Sequence, residues 1–204
     1  MTMRLSRQLN KDNRGTTLVE LVVTFALLAL FMVSATFIIV YTTQLYYNTK
    51  GETNGLEVSN MISERVIGQI EGAKPSNPPI VTEDANEDSS TDIDSIYFTD
   101  ATGSKVTITA QAQSVGGVTD GKKYICVRYD EVGEGPAKYD AVDWRFDSNA
   151  YMGYEVKSLN FEYPGAEYPE NVLKMTLTLF SDKYGEYTTE YFIKCANVSK
   201  IEYN

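Results

Sequence analysis

The residues able to do chemistry in this chain are few in kind. It contains no histidine, which removes the commonest general base and the commonest metal ligand together. Carboxylates, two thiols and many phenols remain. Glu131/Glu134 and Asp140/Asp143 are of the type used for paired acid–base work, but nothing in the sequence positions them, and surface charge is the default. Asp84, Asn86, Asp88, Ser90 and Asp92 alternate oxygen donors as a calcium loop does. Ser89 stands where such a loop turns on glycine, and Ser95 where it ends on glutamate, so a solvated acidic loop is expected and no metal site. Cys126 and Cys195 are too few for a structural zinc site. They can pair if the domain is exported and their Cα atoms come within about 7 Å. Alternation groups Cys195 with Tyr191 and Ile193, and Cys126 with Tyr124 and Arg128, which leaves the disulfide open. The fifteen tyrosines suit half-buried strand faces. Asn197-Val198-Ser199 fits a glycosylation triplet, a pattern that often arises by chance. No cofactor is expected.

One carboxylate stands in an unusual place. Glu20 is the sole charge between Leu18 and Tyr41, and Leu21 to Thr49 carries none. A helix over Leu18–Tyr41 reaches ~36 Å, enough for a hydrocarbon core of about 30 Å. A carboxylate inside a membrane costs about 2.5–3.5 kcal/mol at mid-span and less near an end, so Glu20 calls for a partner. Ahead of it lies a basic leader with Arg4, Arg7, Lys11 and Arg14, which has no apolar region of its own. The small residues Ser34 and Ala35 lie inside the apolar run, so the attractive place for a cut is before it, at Gly15. The basic flank predicts that the N-terminus stays in the cytoplasm and that everything after Tyr41 is exported. Thr17-x-x-Glu20 is also a capping box, with each residue's side chain reaching the other's amide.

The elements that must hold these residues follow from pattern. The chain has 204 residues and a formal net charge of −10. With a basic leader, the rest is more acidic still, which argues against nucleic acid as a partner and suits an extracellular surface. Past Thr42 the helix continues as an amphipathic one. Val58, Ile62, Val66 and Ile70 recur every four residues with Met61 and Ile67 beside them, while Ser59, Asn60, Ser63, Glu64, Arg65 and Gln69 take the other faces. Gly51 and Gly55 each cost roughly 1 kcal/mol against alanine and predict a bend or a weak turn. Gly72 and Pro75 end the element. Residues 73–94 read as an acidic loop. From Asp94 the chain alternates as strands: Ile96–Phe98, Lys105–Ala110, Lys123–Tyr129, a weaker Tyr139–Phe146, then Leu159/Phe161/Tyr163, Leu173/Met175/Leu177/Leu179 and Tyr187–Cys195. The expected fold class is α+β. A long N-terminal helix, membrane-spanning in its first half and amphipathic in its second, packs on an antiparallel sheet domain. The expected divisions are a leader at 1–15 that is removed, a transmembrane or filament-core helix at 16–43, an amphipathic half at 44–72, the acidic loop at 73–94 and the exported β domain at 95–204.

Gly15-Thr16-Thr17-Leu18-Val19-Glu20, after a short basic leader and before an apolar run, resembles the class III signal of type IV pilins and pseudopilins. The resemblance implies that a membrane prepilin peptidase cuts between Gly15 and Thr16, that the new Thr16 amine is methylated, and that Glu20 serves filament assembly. A neighbouring subunit's Thr16 ammonium would satisfy Glu20. Unit charges ~4 Å apart at an effective dielectric of about 20 attract by ~4 kcal/mol before desolvation is subtracted. Many relatives begin the mature chain with phenylalanine, where Thr16 stands here, and many major pilins carry a helix proline near the place of Phe37. The series Val156-x-x-Leu159-x-Phe161-x-Tyr163, then Pro169 and the hairpin Val172–Cys195, looks like the end of the larger minor pilins and J-type minor pseudopilins. The resemblance therefore implies a non-enzymatic minor subunit of a type IV pilus or secretion pseudopilus. It would sit in the cytoplasmic membrane as a single-pass precursor and at the cell surface once assembled. Its partners would be the peptidase, other pilin-like subunits and the membrane assembly machinery. The alternative is a single-pass membrane protein with an exported β-rich binding or adhesin domain. An exported enzyme is disfavoured by the missing histidines and the lack of a nucleophile motif.

Overall fold

The computed structural model describes residues 17–75, 80–84, 94–115, 118–132 and 139–203. They form an α+β architecture, one long N-terminal helix followed by antiparallel β-sheets. The helix, α1, runs Leu18–Glu71. The strands are β1 (Val81–Asp84), β2 (Asp94–Thr99), β3 (Lys105–Val115), β4 (Val118–Tyr129), β5 (Val142–Arg145), β6 (Glu155–Glu162), β7 (Val172–Ser181), β8 (Gly185–Lys194) and β9 (Glu202–Tyr203). The chain divides into two compact units, Met1–Tyr46 and Tyr47–Asn204.

In the second unit the strands make two sheets. One is six-stranded in the order β5-β4-β3-β2-β1-β9, the other three-stranded in the order β6-β7-β8. Neighbours are antiparallel except β1 and β9, which run parallel. This corrects the expectation of a single sheet. It also places β1 inside the segment read as a loop, and adds β9 at the end of the chain. Both additions are short. They are fixed by pairing across the chain, as where the Glu202 amide donates to the Ile80 carbonyl at 2.9 Å, so neither leaves a periodic trace.

The stripe Val58, Ile62, Val66 and Ile70 is buried, each residue at most 1% exposed. It shares one core with Phe98, Ile108, Ile125 and Val127 of the six-stranded sheet and with Leu159, Leu173, Met175, Leu177 and Leu179 of the three-stranded one. Each such side chain contributes about 1.5–3 kcal/mol by leaving water. The alternation read along β7 is borne out: Leu173, Met175, Leu177 and Leu179 face inward and are fully buried, while Lys174, Thr176 and Thr178 lie opposite and are less buried. The helix closes where Gly72 makes a turn, with the Ala73 amide donating to the Ile70 carbonyl.

The glycines correct another expectation. The helix passes through Gly51 and Gly55 without interruption, and both are buried. Tyrosines press on them. A Cβ built on Gly55 would lie 2.6 Å from Cγ and 2.9 Å from Cβ of Tyr187, and one on Gly51 would lie 3.0 Å from Cβ of Tyr184. The Tyr154 hydroxyl donates to the Gly51 carbonyl at 2.9 Å. The missing side chains admit three aromatic rings to the helix backbone, and packing there outweighs the low helix propensity of glycine. Ser59 also departs from its expected polar face. It is fully buried, its hydroxyl 2.6 Å from that of Thr189 and 2.9 Å from that of Tyr191 on β8.

Candidate functional site

The first described residues form a helix start whose chemistry was legible in the sequence. The Thr17 amide donates to Oε2 of Glu20 at 3.2 Å, and the Glu20 amide donates to Oγ1 of Thr17 at 3.2 Å. This is a reciprocal capping box, which satisfies two of the amides a helix start leaves without intrahelical partners. Glu20 therefore has a local role. It is also exposed, so its carboxylate can still meet a cation from outside the chain. Gly15 and Thr16, the expected cleavage and methylation positions, and the leader at 1–15 lie outside the described residues.

Beyond the cap, every residue from Leu18 to Tyr46 is exposed except the half-buried Ala35. Leu, Val, Ile and Phe dominate this stretch, and the helix is long and apolar enough to cross a membrane. Its serine and threonine hydroxyls are satisfied within the helix. Ser34, Thr36, Thr42 and Thr43 each donate to the carbonyl four residues back, and Thr24 to the carbonyl three back. Such back-bonding removes the need for water or for a polar partner at those positions. The surface this segment offers to its surroundings is thus almost wholly apolar, with one carboxylate at its head.

The remaining candidates are placed apart from it. Asp140 and Asp143 are exposed, and Asp143 pairs with Arg145 at 3.1 Å. Glu131 is exposed, and Glu134 lies outside the described residues. Most of the acidic run Asp84–Asp92 also lies outside them, and among the described residues no cluster of three or more metal-ligating side chains occurs. Asn197 is exposed on a turn. An open cleft of about 350 Å³ is lined by Lys123, Glu155, Lys157, Phe180 and Glu186, with Glu186 in an ion pair with Lys157.

The sequence left the pairing of Cys126 and Cys195 open. Cys126 and Cys195 are both buried free thiols. Cys195 lies in the shared core beside Ile193. Cys126 is on β4 between Ile125 and Val127, the neighbours that face that core, and pairs across the sheet with Arg145 of β5. Opposite faces of a strand keep the two sulfurs apart. Burial pushes the Cys126 thiol up, outweighing the Arg145 guanidinium beside it. Burial, with the Glu71 carboxylate adding to it, pushes Cys195 up to about 11.

Sequence reasoning missed two arrangements. One is the set of tyrosines on Gly51 and Gly55. The other is Arg65, whose guanidinium lies 4.3 Å from the Trp144 ring centroid and reaches the Tyr129 hydroxyl at 3.4 Å, tying α1 to β4 and β5. The single tryptophan beside a lone helix arginine gave no local signal. Asp100 sits in a tight turn of its own. Burial disfavours its charge, but hydrogen bonds from the Thr102 hydroxyl and the amides of Ser104, Thr102 and Gly103 outweigh this and hold the carboxyl below its ordinary range.

Compared with known proteins, the chain matches no family model, no curated protein and no solved structure.

Proposed function

We propose that this chain is a pilin-like minor subunit, made as a single-pass membrane precursor and assembled through its first helix with other pilin-like subunits. The observation that carries the proposal is the exposed apolar run of α1 with the Thr17/Glu20 cap at its head, directly after the Gly15-Thr16 junction. An apolar surface this long is stable only in lipid or against other apolar helices. A membrane span before assembly and a filament core after it supply those two environments in turn. On this reading a prepilin peptidase frees the Thr16 amine, the amine is methylated, and Glu20 receives a neighbour's amine when the membrane machinery assembles the filament. The role is structural: priming or tipping a pilus or secretion pseudopilus, with the Tyr47–Asn204 unit outside the cytoplasmic membrane.

N-terminal sequencing of the chain extracted from membranes of its native host tests the proposal. A mature chain beginning at Thr16 is expected, and one beginning at Met1 overturns it. Replacing Gly15 by leucine should leave the precursor uncut.

A second reading has one observation of its own. Val132, Tyr139 and Val142 are exposed apolar side chains in and beside β5, an edge strand, with Val132 and Tyr139 bridged to each other. Such a patch suits an exported binding or adhesin domain on a permanent anchor. That reading predicts an uncut N-terminus.

A further inference from the structure

The turn between β7 and β8 carries a cation held among tyrosines. The Lys183 ammonium lies 5.3 Å from the ring centroid of Tyr47 on α1 and 5.2 Å from that of Tyr184 in its own turn. Lys183 is exposed. Tyr47 belongs to the last residues of the charge-free run that ends at Thr49, and Lys50 is the first charge after Glu20. A tyrosine at the end of an apolar run suits the membrane–water interface, since its ring is apolar and its hydroxyl polar. A lysine beside it reaches toward phosphate oxygens while its stem stays on apolar surface. The turn is thus packed against the part of α1 where the apolar run gives way to charge.

We infer that Tyr47, Lys50, Lys183 and Tyr184 form a contact for the headgroups of anionic phospholipids, which gives the second unit a foothold on the bilayer besides its helix. The inference rests on the membrane reading of α1. With a net charge of −10, the protein is repelled by an anionic surface as a whole, so attraction needs cations placed locally. Asp182 and Glu52 are the acidic neighbours in sequence and limit its strength. Removing one lysine near such a surface weakens the contact by about fivefold.

The test uses the full chain in bilayers, with one fluorophore on Asp182→Cys beside the turn or on Ser34→Cys within the apolar run. Cys126 and Cys195 are buried and stay unlabelled in the folded protein. The bilayers are phosphatidylcholine with or without phosphatidylglycerol, carrying quenchers on headgroups or on acyl chains. The 182 label should be quenched by headgroup quenchers when phosphatidylglycerol is present, and Lys183→Ala in the same background should weaken that contact about fivefold. Quenching at 34 by acyl-chain quenchers, with none at 182 or with equal quenching in Lys183→Ala or in neutral lipid, overturns the contact and leaves the membrane reading standing. No acyl-chain quenching at 34 removes the membrane reading and this inference with it.

Discussion

Gly55→Ala sets two effects against each other with opposite signs. Alanine is favoured over glycine by about 1 kcal/mol in a helix interior, so propensity alone predicts a more stable protein. The added Cβ, however, would lie 2.6 Å from Cγ and 2.9 Å from both Cβ and Cδ2 of Tyr187. Two of those three atoms sit at the root of the tyrosine side chain, so no rotation of the ring tip relieves the overlap. Either Tyr187 changes rotamer or β8 moves away from α1. Overpacking of this kind costs about 1–3 kcal/mol, which cancels the propensity gain and leaves a net destabilisation of up to about 2 kcal/mol. Gly68 on the same helix is the control, because it is exposed and a Cβ there meets nothing within 4 Å. Gly68→Ala should stabilise by up to about 1 kcal/mol. Thermal unfolding of the full chain in detergent, followed by fluorescence of Trp144, which lies on β5 against Arg65 of α1, reads both variants. A change of 1 kcal/mol corresponds to about 2–4 °C for a unit of this size. A Gly55→Ala protein more stable than the parent by about 1 kcal/mol, as propensity alone predicts, would refute the argument that the glycine exists to admit Tyr187. So would a Gly68→Ala protein that loses as much as Gly55→Ala.

Other expectations concern charge and assembly. On the pilin-like proposal, Glu20→Val should change the stability of the Tyr47–Asn204 unit by less than about 0.5 kcal/mol yet impair incorporation into a filament; normal incorporation, scored on sheared filaments, would refute the pairing of Glu20 with a neighbour's amine. Asp100 is held below its ordinary range when folded, so the unfolded chain binds its proton first. Its contribution to stability is present above about pH 4 and fades as pH falls below that; Asp100→Asn should flatten that part of the acid unfolding curve, and an unchanged curve would count against the turn's role. Cys195, raised to about 11 when folded, behaves oppositely, since the unfolded thiol ionises first and stability falls as pH rises above about 8.5. At pH 8 its reaction with a thiol reagent should be more than about a hundredfold slower in the folded than in the unfolded protein, and fast labelling of the native chain would refute its burial.

What sequence patterns reveal is which face a residue takes within its own element. Val58, Ile62, Val66 and Ile70 were legible because a period near four marks one side of a helix, and the inward residues of β7 because a period of two marks one side of a strand. Thr17 and Glu20 were legible for a like reason: a capping box closes within four residues. Ser59 was misread because its partners, Thr189 and Tyr191, lie far along the chain, and a serine next to an apolar stripe looks solvent-facing until hydroxyls from another strand meet it.

The amino-acid order by itself determined the α+β class, the apolar run with its single carboxylate, the buried helix stripe and the inward faces of the main strands, because each depends on neighbours a few residues away. The tertiary structure alone decided that the strands split into two sheets, that β1 and β9 pair in parallel, that Gly51 and Gly55 receive tyrosines, and that Cys126 and Cys195 lie on different sides of β4. Those outcomes depend on which distant surfaces meet. Periodicity says that a face is apolar, but close packing selects the partner that fills it.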